Sequence, residues 1–461
     1  MGDFTQRRGR KGRGKRLPLV NENAAGLDIG SKEHWVAVPE ERDEQPVRKF
    51  RCYTKDLQEM ADWLEKCGIT TVAMESTGVY WIPVHQILER RGIAVVLSNA
   101  QHIKNVPGRK TDVMDCQWIQ RLHSFGLISG SFRPEDAICV IRSSWRHRQN
   151  LVRYAASHIQ HMQKALIQMN VQLHKAVSDI TGKTGMAIIR AILEGERDPH
   201  RLAAMRDRHY QRGVEELAAA LTGDYREEHL FVLKQSVECY DFYQAQIQQC
   251  DQEMIHALSK FETKMDVSNV PLKPPRRKNS KNSPPFEMRD TFCAISGVDF
   301  TQIDGLNLSS VTTILCEVGL DPTLFPSSKH FTSWLGLCPN RRITGGKIKS
   351  SHTRPVVNRA ATAFRQAAMG LTHANCALGG YYRRMKARLG GPAAITATAH
   401  KLARIFYCLW SKGGSYADLG ADYYEIKYRE RIITNMRKKA KQLGLAIEFK
   451  LSAESTALLP A

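Results

Sequence analysis

Between residues 24 and 125 the chain alternates apolar runs with amphipathic ones in an order that few folds can absorb. Ala24–Ile29 (AAGLDI) is apolar apart from Asp28, the pattern of a strand covered on both faces. Glu33–Pro39 and Val47–Tyr53 alternate well enough to be the next two strands of a meander. Lys55–Cys67 then places Leu57, Met60 and Leu64 on one helical face, and Gly68 stops it. Thr71–Glu75 is a short strand, Val79–Arg91 a helix and Ile93–Ser98 another strand. A basic loop, His102–Lys110, leads into a helix over Asp112–Phe125. The expected order is β-β-β-α-β-α-β-α.

That order is the one of an RNase H-like α/β domain. In such a sheet the first strand, the fourth strand and the last helix converge on one spot. Asp28 ends its strand in GLDIGS and Glu75 ends its own in AMESTG, each where apolar residues give way to Gly, Ser or Thr. A carboxylate at such a strand end points into a cleft rather than a core. Asp112 and Asp115, in KTDVMD, are three residues apart and share one helix face. Four carboxylates in one place repel unless cations neutralise them. Hard oxygen donors with partial hydration suit Mg²⁺, and two such ions serve phosphodiester chemistry. Singly, each acid is weak evidence, since a D-x-x-D pair is most often a solvated helix face or an N-cap. Glu33, Asp56 and Glu89 fall on exposed faces and lack this placement.

The rest of the chain reads as helix and linker. Residues 1–21 form a basic arm with Arg7, Arg8, Arg10, Lys11, Arg13, Lys15 and Arg16, expected to be disordered and to meet phosphate. The α/β domain spans 22–135. Residues 136–263 carry few strand signals. Arg142–Leu173 and Glu227–Phe261 read as two long helices of an antiparallel coiled-coil region, with a smaller helical insertion near 184–222. A basic Pro-rich linker follows at 264–288, then a mainly helical domain at 289–413 and a basic tail at 414–461, whose helix holds Arg437, Lys438, Lys439 and Lys441. Gly297–Gly305 followed by Ser309–Gly319 resembles a glycine turn before a helix, a device that presents N–H groups to phosphate. The formal net charge is +21, which points to a polyanion. No apolar stretch approaches the ~18 residues of a membrane span and there is no secretory h-region, so nucleic acid is the expected partner and the cytoplasm the expected place. The 11 cysteines include no C-x-x-C pair, so reduced thiols and no structural zinc site are expected.

GLDIGS, AMESTGVYW and PGRKTDVMDCQW together resemble the DEDD-type insertion-sequence transposases, the bridge-RNA-guided recombinases. The stretch LDPTLFPSSKHFTSWLGLCPNRRITGGKIKSSHTRPVVNRAATAFRQAA looks like that family's C-terminal transposase domain. The resemblance implies a RuvC-like N-terminal domain whose tetrad is Asp28, Glu75, Asp112 and Asp115, holding Mg²⁺ (two ions). It also implies a hydroxyl nucleophile in the C-terminal domain, a covalent protein–DNA intermediate, and a structured guide RNA that pairs with donor and target DNA. Because one domain would hold the metals and another the hydroxyl, with long helices and a linker between them, a homodimer or tetramer is expected in which the hydroxyl loop of one subunit reaches the metals of another. The expected setting is prokaryotic and nucleoid-associated.

At the nucleophile position this chain departs from the family's usual Ser. The motif reads RRITGGK, with Thr344 in that place. Thr344 is one reading, Ser350 or Ser351 in KIKSSHTR another, and impaired strand transfer a third. Thr344 is favoured because the Gly-Gly pair after it allows close backbone approach to phosphate. Arg341, Arg342, Lys347, Lys349 and Arg354, with Asn358 and Arg359 at the next helix, suit a phosphate clamp, although charged loops are more often solvated surface. Tyr80 and Trp81 suit base stacking, but packing in the core or a subunit contact is the commoner role. The competing readings are a RuvC-like structure-selective endonuclease using metal-activated water, and a binding scaffold with a vestigial acidic site. The hydroxyl loop speaks against the first and the intact tetrad against the second.

Overall fold

The computed structural model describes residues 18–99, 112–210, 213–267, 272–274, 281–356, 358–420 and 423–445. Most of the expected basic arm, the loop His102–Lys110, residues 275–280 of the linker and residues 446–461 of the tail lie outside the described residues. The chain divides into two compact units, Met1–Arg133 and Pro134–Ala461.

The first unit is mixed α/β. Its elements are β1 (Ala24–Ile29), β2 (Glu33–Ala37), β3 (Val47–Arg51), α1 (Thr54–Lys66), β4 (Thr71–Glu75), α2 (Trp81–Arg90), β5 (Ala94–Ser98) and α3 (Asp112–Ser124). The strands form one sheet in the order β3-β2-β1-β4-β5. β1 pairs antiparallel with β2 and β2 with β3, whereas β1–β4 and β4–β5 are parallel. β2 ends two residues before the expected Pro39, which has no N–H to extend the ladder. On one face Leu27, Met60, Leu64, Met74 and Leu88 are fully buried. Each such side chain contributes about 1.5–3 kcal/mol. The other face carries small residues, Ala24, Gly26 and Ala73, and is covered by α3 through Ile119 and Trp118.

The second unit is largely helical. α4 (Asp136–Gln168) begins six residues before the expected Arg142, two residues after Pro134, and its buried stripe runs through Ile138, Ile141 and Trp145. The short helices α5 (Leu173–Ala176), α6 (Lys183–Leu193), α7 (Pro199–Ala204) and α8 (Val214–Leu221) fill the insertion. α9 (Glu227–Leu258) returns along α4: Arg148 meets Asp251 and Tyr154 meets Tyr243, so the pair is antiparallel. Arg148 donates to both Asp251 oxygens at 2.6 and 3.0 Å within the core. Beyond lie α10 (Phe286–Ser296), α11 (Leu308–Val318), α12 (Ser328–Trp334), the hairpin β6 (Arg342–Thr344) and β7 (Lys347–Ser350), α13 (Arg359–Met369), α14 (Ala377–Leu389), α15 (Gly391–Lys412) and α16 (Tyr423–Gln442). Phe300, Phe331, Phe364 and Phe406 make their aromatic core, with Phe300 and Phe406 stacked at 4.2 Å. Among the described residues no helix is long and apolar enough to cross a membrane.

Candidate active site

The acidic corner is built around a residue without a side chain. A Cβ at Gly26 would lie 2.2 Å from the Gln120 amide nitrogen and 2.4 Å from the Cys116 carbonyl oxygen, so α3 rests on the backbone of β1. The helix runs opposite to the strand. At its C-terminal end His123 Nε2 is 2.9 Å from Thr71 Oγ1, and the Val20 N–H donates to the Ser124 carbonyl at 2.8 Å. Its N-terminal turn therefore points to where β1 and β4 finish. Two residues up the strand from Gly26 is Asp28, and four residues back along the helix from Cys116 is Asp112. At ~3.3 and ~1.5 Å per residue, both paths advance about 6 Å toward the same end.

The sheet register extends this corner into a row. Asp28 pairs with Trp35 on β2, and Trp35 with Lys49 on β3. Leu27 pairs with Met74, which sets Asp28 level with Glu75, and Glu75 pairs with Ser98 on β5. Residues in register share a face. Lys49, Trp35, Asp28, Glu75 and Ser98 thus cross all five strands on the side covered by α3.

Asp28 and Glu75 are half-buried and Asp115 is exposed. Glu75 Oε1 accepts from Thr77 Oγ1 at 2.9 Å. The buried Cys116 thiol is pushed up to about 12, first by burial and further by the charges of Asp28 and Asp115, so these two carboxylates act on one sulfur. Asp112 opens α3, and its side chain lies outside the described residues. Among the described side chains, which do not include that of Asp112, no three His, Cys, Asp or Glu group closely enough to hold a metal ion. The neighbouring acids are engaged elsewhere: Glu33 with Lys49 at 3.3 Å, Asp56 with Arg51 at 2.9 Å, and Glu89 with His85 at 3.1 Å.

Sequence reasoning missed Trp35, Lys49 and Ser98. Among the described residues neither the buried Trp35 indole N–H nor the buried Ser98 Oγ has a hydrogen-bond partner. Lys49 Nζ stands 5.6 Å from the Trp35 ring centre. Only the strand register, which no spacing motif encodes, puts them beside the acids. Trp81 packs against the domain core with its ring 5.7 Å from that of His85, whereas Tyr80 is exposed.

The hydroxyl loop is a hairpin. Thr344 pairs with Lys347 across Gly345 and Gly346, whose φ values are +56° and +74°. Two successive positive φ angles make a type I′ turn, which glycine adopts without strain. Open space surrounds both glycines, so the turn and not crowding requires them. Thr344, Arg341, Lys347 and Lys349 are exposed, and the Arg342 side chain lies outside the described residues. A register shift lies between Arg342 and Ile343, and Ser350, half-buried, pairs with Arg342. Ser350 therefore shares Thr344's face, two residues further from the tip. Ser351 is exposed. Arg354 donates to the Ser333 carbonyl, and Asn358 caps α13 through the Ala361 N–H at 3.1 Å.

Two family models match the chain. A model described as a DEDD transposase of the IS110 type covers residues 25–171, and one described as the transposase IS116/IS110/IS902 family covers residues 299–383. The chain belongs to the IS110 family of transposases. It is thus a transposase, an enzyme that acts on DNA. The first match spans all four acids and the second spans the hairpin, so both halves of the candidate chemistry lie within the transposase signature. No curated protein matches the chain.

Proposed function

We propose that the transposase breaks and rejoins DNA strands through Asp28, Glu75, Asp112 and Asp115, the metal-holding tetrad of an RNase H-like (RuvC-like) domain, with Thr344 as the attacking hydroxyl. The observation that carries this reading is the seating of α3 on Gly26, which turns the start of the helix toward Asp28 and Glu75. The sheet order, with its antiparallel β1–β3 meander and parallel β4 and β5, supports the RNase H-like assignment.

The donor set fits a hard cation. The described carboxylates are half-buried or exposed, and the adjacent Cys116 stays a neutral thiol, so oxygen donors dominate. When bound, two Mg²⁺ ions supply neutralisation of charge at the phosphate under attack. The protein's share is to hold the carboxylates in place before DNA arrives and to deliver the hydroxyl. Thr344 Oγ forms a bond to phosphorus while the bond from phosphorus to the departing deoxyribose oxygen breaks. The hydroxyl proton passes to solvent, and the departing oxygen takes up a proton. The phosphoester is conserved, so the hydroxyl of a second strand reverses the step without another energy source.

The tip position of Thr344, its exposure and the flanking cations Arg341, Lys347 and Lys349 support it as nucleophile. Ser350, on the same face, and Ser351 are the alternatives. Guidance by an element-encoded RNA that pairs with donor and target DNA, and assembly as a homodimer or tetramer in the cytoplasm, complete the proposal. The net charge of +21 suits two nucleic-acid partners.

The test is to trap protein on a nicked DNA substrate and map the modified residue by mass spectrometry. An adduct on Thr344 is expected. An adduct on Ser350 or Ser351 alone moves the role there, and metal-dependent cleavage with no adduct establishes the hydrolytic endonuclease instead. Mixing subunits lacking the tetrad with subunits lacking the hydroxyl tests whether the two chemistries are exchanged between chains.

A further inference from the structure

Within the second unit, α4, α11 and α13 enclose a polar cleft. Two cavities of about 420 and 240 Å³ share Gln149, Thr313, Ala363 and Gln366 in their walls. Arg153 and Arg359 line the larger one. The floor is fixed: Thr313 Oγ1 accepts from Trp145 Nε1 at 3.0 Å and from Gln149 Nε2 at 3.3 Å. Among the described residues, three guanidiniums gather here with a single carboxylate. Arg146 takes Glu317 in a two-point pair at 2.9 and 2.7 Å, which consumes that charge. Arg359 donates to Gln149 Oε1 at 3.4 Å and Arg153 to Asn150 Oδ1, both neutral acceptors. Among the described residues no salt bridge joins Arg153 or Arg359 to a carboxylate. Burial first, then the like charge of Arg146, draws the Arg359 guanidinium below its ordinary value, with Arg153 adding to this and only Glu317 opposing.

Arg153 and Arg359 are both exposed along an open cleft and carry no carboxylate partner among the described residues, so an anion entering the cleft meets two unneutralised cations. A planar guanidinium fork matches a phosphate's oxygens, and the amides of Gln149 and Gln366 add donors. A small anion would leave much of a cleft this size empty. A strand carrying phosphates in series would fill it and use both arginines.

We propose that this cleft binds the phosphodiester backbone of a nucleic-acid strand, with Arg153 and Arg359 each engaging a phosphate. The site needs no metal and does not depend on the roles given to the tetrad or to Thr344.

The experiment measures binding of the full chain to short mixed-sequence single-stranded DNA and, separately, RNA, by fluorescence anisotropy over a range of salt concentrations with EDTA present. Loss of two phosphate contacts in the Arg153→Ala/Arg359→Ala double variant should lower the slope of log K against log salt by about 1.4, at ~0.7 per phosphate on a single strand. The Arg153→Lys/Arg359→Lys variant should keep most of it. A drop with RNA only identifies an RNA strand as the occupant, a drop with DNA only identifies DNA, and a drop with both a site for either backbone. Unchanged slopes with both overturn the proposal. Should the double variant fold poorly, Gln366→Glu, which adds a negative charge and keeps both arginines, gives the same reading. An Asp28→Asn control separates this site from the tetrad, because it should lose cleavage while its binding slope stays the same.

Discussion

The acidic corner and the hydroxyl hairpin are built in opposite ways. In the first unit, Asp28 and Glu75 stand at the ends of adjacent parallel strands, and a helix lies on the sheet with no side chain between them at Gly26. In the second, Thr344 stands at the tip of a two-stranded ribbon whose Ile343 and Ile348 are 60% and 58% exposed, so the ribbon has little of its own core. Carboxylates that repel one another have to be held by a scaffold stiffer than their repulsion. A hydroxyl that must meet a phosphate and later release it is better carried on an element that stands clear. On the proposed mechanism the contrast separates what each region would contribute: preorganisation from the corner and reach from the hairpin.

Breaking the corner should cost the most. Asp28→Asn removes a charge and keeps the shape, so DNA cleavage in Mg²⁺ should fall at least about a hundredfold, while the thermal midpoint stays the same or rises as repulsion is relieved. A variant that cleaves at the wild-type rate would end the assignment of Asp28. Next in size comes the exchange of glycines between the two designs. Gly26→Ala forces a methyl into the backbone of α3 and should destabilise the first unit by about 1–3 kcal/mol, with cleavage lost in parallel. Gly346→Ala forces an alanine into the left-handed region at about 1–2 kcal/mol. Because the hairpin is exposed, that cost should distort the ribbon locally. Covalent adduct should fall while the unfolding midpoint barely moves. Equal midpoint losses for the two variants would erase the distinction between scaffold and ribbon.

A third change sharpens the hairpin's side. Thr344→Ser keeps the hydroxyl and removes the methyl that crowds it, so adduct formation should be retained or increased severalfold. Thr344→Ala should abolish it. Adduct persisting in Thr344→Ala would pass the role to Ser350, which the register already sets on the same face.

The two regions also differed in how far they could be read from the chain. β1 and β4 were readable to the residue, since AAGLDI and TVAME are buried runs that end abruptly at polar residues. The acids at or near their ends followed from that. The start of α4 is hard to read from the chain because Ile138 and Ile141 sit in a stretch whose start has no side-chain cap. Trp35 and Lys49 looked like ordinary alternation, because their membership of the acidic row depends on pairing partners 7 and 14 residues apart. The cleft of Gln149, Arg153, Thr313, Arg359 and Gln366 was invisible for the same reason on a larger scale, being assembled from helices some 200 residues apart. The GG turn was readable as a turn, but that it carries Ser350 round to Thr344's face depends on a register shift.

The smallest expected effect concerns pH and the far end of α3. His123 is 4% exposed, its ring bonded to Thr71, and burial lowers its proton affinity below the ordinary value. The unfolded chain therefore protonates first, near ~6.5. The sign follows: the neutral ring's contribution is complete above ~6.5 and drains as the pH falls through that value toward the lower folded one. His123→Gln keeps a polar group near Thr71 without a titration in this range, so its first-unit stability should depend less steeply on pH between about 6.5 and 5. The hairpin offers no comparable group, since Thr344, Gly345 and Gly346 do not titrate there. Denaturant melts followed by site-specific hydrogen exchange can report the two regions separately. A wild-type pH slope at α3 that survives His123→Gln would assign the acid sensitivity to His34 instead, which is buried on the opposite face of the sheet and lowered by the same cause.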